Sequence, residues 1–105
     1  MNHKDMDVWL KSMDLAEKIY TLSNGFPKEE MYGLKNQIRR ASVSIPSNIA
    51  EGAARKSNKE FLQFIHIAIG SLSEVETQYL LSIRLGFLKV DTEINELIIT
   101  VRKYF

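Results

Sequence analysis

The sequence predicts an all-α protein, an up-down-up-down antiparallel four-helix bundle with a proline-kinked second helix. Three observations carry this. Only two prolines and five glycines interrupt 105 residues, no stretch alternates apolar and polar side chains as a half-buried strand does, and four segments repeat apolar residues at steps of three and four. Each apolar stripe must be buried against another helix, and three short connections make consecutive helices antiparallel neighbours. An irregular helical domain is the other way to pack the same segments.

The first helix is expected over Asp7 to Ser23, with Val8, Leu15, Ile19 and Leu22 on one stripe and Trp9, Met13, Ala16 and Tyr20 beside it. Asn24, Gly25 and Pro27 close it and open the second helix near Lys28. There Leu34, Ile38, Ala41, Ile45, Asn48/Ile49 and Gly52 form a seam at steps of four and three. Pro46 has no amide to give the Ser42 carbonyl, so a kink is expected, with Ser42, Ser44, Ser47 and Asn48 available to the freed backbone groups. A second reading makes Pro46 the first turn of a separate helix.

Ser57 and Glu60 form a capping box for a third helix that runs to Leu85. Phe61, Ile65, Ala68, Leu72, Val75, Tyr79 and Ile83 point inward, and Leu62, Phe64, Ile67, Ile69 and Leu80 widen the apolar arc past half the circumference. Gly86 ends this helix. Asp91 caps a fourth, whose inner face is Ile94, Leu97, Ile98, Val101 and Phe105.

Residues 1–105 read as a single domain, long enough to bury roughly 60–70 % of its unfolded surface. With no cysteine, disulfides and thiolate metal sites are excluded, which fits a cytoplasmic protein. The segment MNHKDMDVWLK contains neither a secretory signal nor a membrane span.

Net charge is only +1, yet it is unevenly placed. Residues 35–59 hold Lys35, Arg39, Arg40, Arg55, Lys56 and Lys59 against Glu51 alone, a local +5, while the rest of the chain carries −4. These six cations are the candidate nucleic-acid-binding residues, acting on phosphates; Arg55, Lys56 and Lys59 adjoin a helix N-terminus, which itself attracts anions. No aromatic side chain is interleaved with them to stack on bases. A charge run on a helix also arises as a plain solvated face, and Glu51 four residues before Arg55 can neutralise it in part.

Opposite the seam of the second helix lie Val43, Ser47, Ala50 and Ala54, where an isolated bundle would carry long charged side chains. Small residues there admit another helix, which suggests a homo-oligomer interface; alanine is also simply a good helix former. Catalytic chemistry is absent from the pattern. His66 has Gln63 rather than Glu three residues before it, Glu74 and Glu76 point to different faces, and no glycine-rich phosphate loop occurs. No metal, cofactor or enzymatic activity is expected.

The segments FP (26–27), YGL (32–34), QIRRA (37–41), SIPSNIAEG (44–52), EF and GSL together resemble a small bacterial four-helix-bundle family. That family includes proteins encoded in intervening sequences of 23S ribosomal RNA genes and is related to the accessory variability protein of diversity-generating retroelements. The resemblance implies an up-down bundle assembling into a homopentamer. For the retroelement relative it implies a basic surface that binds nucleic acid and a reverse transcriptase partner. Arg39, Arg40 and Arg55 fall on basic positions of the shared motif. The leading expectation is thus a non-enzymatic oligomer that binds RNA or DNA backbone, and its competitor is a protein-interaction or assembly scaffold.

Overall fold

The computed structural model describes residues 2–105, and among these every regular element is helical. Four α-helices follow one another: α1 (Asp7–Ser23), α2 (Leu34–Ala53), α3 (Asn58–Arg84) and α4 (Thr92–Lys103). Helix α1 packs on α2 and α4, α2 on α3, and α3 on α4, while neither diagonal pair approaches, so the chain is a four-helix bundle. The run of connections alternates ends. Phe26 in the α1–α2 loop meets Phe87 in the α3–α4 loop with ring centroids 5.7 Å apart, which pins both loops at one end of the molecule.

Helix α1 occupies the expected residues, but α2 starts six residues later than predicted. Lys28–Glu30 forms a 3-10 turn, and the Glu30 carboxylate then accepts from the Leu34 amide at 3.1 Å. Pro27 opens that turn rather than the helix. Helix α2 continues unbroken through a buried Pro46, so Pro46 does not open a separate helix. The polar side chains near it go to other carbonyls than Ser42: Ser42 Oγ donates to the Arg39 carbonyl at 2.8 Å, and Asn48 Nδ2 to that of Ser44 at 2.8 Å. At α3 the Ser57 hydroxyl accepts from the Glu60 amide, and at α4 the Asp91 carboxylate accepts from the Ile94 amide, as sequence-based capping requires. Helix α3 gives way at Gly86, whose φ of +80° suits glycine, with Phe87 N–H returning to the Ser82 carbonyl.

Leu15, Ile38, Ile45, Ile49, Leu72, Val75, Ile94 and Val101 form the centre of the core. Each such side chain contributes about 1.5–3 kcal/mol by leaving water. Small residues bring the helices together. A Cβ on Gly52 would stand 3.1 Å from Phe64 Cβ and 3.2 Å from the Phe61 carbonyl oxygen, so any larger residue would push α2 and α3 apart by a few tenths of an ångström at this level. Buried serines do the same without stranding a donor, since Ser12 and Ser82 hydroxyls bond the carbonyls one turn back and Ser71 Oγ donates to Ser44 Oγ at 2.7 Å.

Helix α4 is held by polar contacts as well. Tyr79, buried on α3, accepts from the Asp91 amide at 2.7 Å and donates to the Asp91 carbonyl at 3.2 Å. Lys18 of α1 reaches Glu93 at 3.0 Å and Asp91 at 3.9 Å. The Glu93 hydrogen bond, with the charges of Asp91 and Glu93, raises the Lys18 pKa, so the ammonium stays charged through neutral pH and this contribution is lost as pH climbs through the raised value. At 12 residues α4 is less than half the length of the 27-residue α3, so the N-terminal half of α3 and the end of α2 extend beyond it.

Tyr79→Phe strands the Asp91 amide in a half-buried site. Unfolding free energy should fall by about 1–3 kcal/mol in urea denaturation, with the midpoint shifting at constant slope.

Candidate nucleic-acid interface

The six predicted cations do not converge. Lys35, Arg39 and Arg40 lie in the first two turns of α2, whereas Arg55 and Lys56 follow its C-terminus and Lys59 is in the first turn of α3. A helical rise of about 1.5 Å per residue separates Arg40 from Lys56 by roughly 20–25 Å. The local +5 of the sequence is two clusters at opposite ends of one helix.

They also differ in availability. Arg39 is spent inside the fold: Nε donates to Ser23 Oγ at 2.7 Å, one terminal nitrogen donates to the Tyr20 carbonyl at 3.0 Å and Asn24 Oδ1 at 2.8 Å, and the guanidinium lies 4.6 Å from the Tyr20 ring centroid. It fastens the end of α1 to the start of α2. Arg55 is paired with Glu51 at 3.2 Å, as the four-residue spacing predicts, and its guanidinium covers the Phe64 ring at 4.8 Å. Among the described residues no carboxylate lies within ion-pair distance of Lys35, Arg40, Lys56 or Lys59. Arg40, Lys56 and Lys59 are exposed and Lys35 is half-buried.

Arg55 and Lys56 share a small hollow with Ser57 and Asn58 at the start of α3. Unpaired amide groups and the positive end of the α3 dipole add to the two cations there, giving a geometry suited to an oxyanion.

Val43, Ser47 and Ala54 on the outer side of α2 are exposed and Ala50 is half-buried, so the stripe opposite the seam faces out of the bundle. Leu62, Ile67, Leu80 and Leu81 on α3 and Leu85 just after it, with Leu10, Met13 and Tyr20 on α1, are exposed large apolar side chains. The wide arc of α3 is only partly covered by the chain's own helices.

One feature contradicts the expectation that no aromatic accompanies the cations. Tyr32, 88 % exposed in the turn before α2, shares a polar groove between α2 and α3 with Arg40. Asn36 and Gln37 line its α2 side and Glu74 and Gln78 its α3 side. The sequence did contain a signal. Tyr32, Asn36 and Arg40 are spaced by four, and Ser71, Glu74 and Gln78 by three and four, but which helix faces which line is settled only by packing.

His66 is exposed, Glu76 is engaged by Arg102 at 2.9 and 3.2 Å, and no group of three or more metal-binding side chains gathers among the described residues. Among the described residues no helix is long and apolar enough to cross a membrane.

The fold and its surface define a small all-helical bundle with polarised charge and uncovered apolar faces. The family model of the 23S rRNA-intervening sequence protein matches residues 4–104, and the chain belongs to that family. A search of curated proteins found no match.

Arg39→Ala removes the fastening of α1 to α2. It should lower unfolding free energy by about 1–3 kcal/mol in urea denaturation, and Arg39→Lys should restore little, because a single ammonium cannot reproduce the planar three-acceptor arrangement.

Proposed function

We propose that the protein is a non-enzymatic homo-oligomer that binds RNA or DNA through the phosphate backbone. The observation that carries this reading is the set Lys35, Arg40, Lys56 and Lys59, four cations without a carboxylate partner at the two ends of α2. Positive groups spaced along a rod suit a polyanion that is itself extended, and backbone contacts bring affinity without sequence choice. Membership of the 23S rRNA-intervening sequence protein family supports a connection with ribosomal RNA genes. Arg39 drops out of the proposed surface, and Arg55 contributes in part.

Oligomerisation matters to the reading because a single chain carries a net charge of only +1. Copies packed through Val43, Ser47, Ala50 and Ala54 and the exposed apolar residues of α3 would repeat the four cations around an axis, turning a modest local charge into an extended field.

Measured by fluorescence anisotropy with a duplex probe, log K should fall with log salt by about 3 to 4 per chain, at 0.9 per phosphate neutralised. A Lys35/Arg40/Lys56/Lys59→Ala variant should lose that dependence, whereas Arg39→Ala should retain it. Undetectable binding near 50 mM salt would sink the proposal.

The engagement of Arg39 and Arg55 within the chain favours a second reading, an assembly scaffold that binds no nucleic acid. Light scattering addresses assembly separately: Ala50→Arg should reduce the molecular mass to that of one chain, and an unchanged mass removes this stripe from the interface.

A further inference from the structure

The groove between α2 and α3 carries side chains for which a phosphate-binding surface has no use. It is an open trough of about 550 Å³. At its rim Tyr32 presents a ring that is almost wholly in water, free to stack on a second planar group. Its α3 side offers acceptors. Gln78 Oε1 is buried with no hydrogen-bond partner, and Glu74 forms no ion pair among the described residues. A buried acceptor without a donor is costly, and a turn of the Gln78 side chain toward the groove lets a ligand N–H relieve it. Across the groove stands Arg40, a cation without a carboxylate partner.

A planar ring for Tyr32, N–H donors for Gln78 and Glu74, and an anion for Arg40 are three demands on one ligand. A nucleotide whose base carries an exocyclic amino group meets all three. Uracil offers one N3–H where two acceptors stand, and a base already paired in a duplex has its Watson–Crick edge occupied. A phosphate alone would find Glu74 repulsive and leave the Gln78 oxygen unanswered.

We propose that this groove is a subsite for one unpaired, amino-bearing nucleotide, with Tyr32 stacked on the base, Glu74 and Gln78 accepting from its amino group, and Arg40 holding its phosphate. The subsite rests on the phosphate-binding reading only for the role of Arg40. It narrows the partner from nucleic acid in general to a strand with exposed bases. Asn36 and Arg40 of the groove continue the Val43 and Ser47 stripe toward the start of α2 at steps of four and three, so the groove adjoins that stripe on the α3 side.

The test separates the two readings by using probes with and without phosphate. Isotope-labelled protein is titrated with cytidine, with uridine as the near-isosteric control, and with cytidine 5′-monophosphate, while the Gln78 side-chain amide and the Tyr32 resonances are followed by NMR. Cytidine should shift both and uridine should bind several-fold more weakly. The monophosphate should bind more tightly than cytidine, by a margin that Arg40→Ala removes. Tyr32→Ala should abolish the cytidine response and Tyr32→Phe should keep it; the side chain is exposed, so neither variant disturbs the core. With a labelled oligocytidine, Tyr32→Ala should weaken single-strand binding roughly 5- to 100-fold while leaving binding of the same strand in a duplex unchanged. Equal responses to cytidine and uridine, an equal response to a glycine dipeptide, or no shift at Gln78 at millimolar cytidine would overturn the subsite. If cytidine binds and duplex does not, the subsite stands and the backbone-binding proposal falls; duplex binding without a cytidine response gives the reverse.

Discussion

The close approach of α2 to α3 is the constraint on which the rest of the molecule depends. It is achieved by leaving atoms out. Gly52 sits where a methyl group would meet Phe64 and the Phe61 carbonyl, and Ser44 and Ser71 meet hydroxyl to hydroxyl at 2.7 Å midway along the pair. Packing α2 this tightly on one side fixes which of its residues turn outward, and so determines that Val43, Ser47 and Ala54 lie on the surface while Arg40 borders a groove shared with α3. The same register places Glu74 and Gln78 across from Asn36 and Gln37.

Charge in this protein has to be judged by engagement rather than by number. Arg39 and Arg40 are adjacent in sequence and about 100° apart around α2. That angle sends Arg39 toward α1, where neutral oxygens accept from its Nε and one terminal nitrogen and the Tyr20 ring lies against the guanidinium, and sends Arg40 into the open. Arg39 keeps its charge, yet its role is to join two helices where the α1–α2 loop has released them. Hydrogen bonds from a guanidinium to uncharged acceptors suit this place, since no carboxylate needs to be desolvated to make them.

Much of the fold was legible because periodicity and capping are local. The bounds of α1, the Ser57 and Asp91 caps, the Gly86 stop and the inner faces of all four helices follow from neighbours within a turn or two. The start of α2 was misread for an instructive reason. Pro27 does open a helical turn, but it is a 3-10 turn of three residues, and the true first turn of α2 is supported by a carboxylate four positions back in a segment that is not itself α-helical. The candidate site was less accessible. Six cations close in sequence fall into two clusters because a 20-residue helix holds them apart, and the Tyr32 groove depends on the register between α2 and α3, which no single helix encodes.

The unequal lengths of α3 and α4 bear on how a large ligand could reach this protein. Because α4 stops short, the beginning of α3 is left without a neighbour on its α4 side, and Lys59 stands at that end with Lys56 in the turn before it. A stiff helical polymer cannot enter a recess, but it can lie against this end from the side that α4 leaves open, while α1 flanks α2 on the other. In that respect the shortest helix, which carries none of the proposed contacts, sets the angles from which the charged tip can be approached.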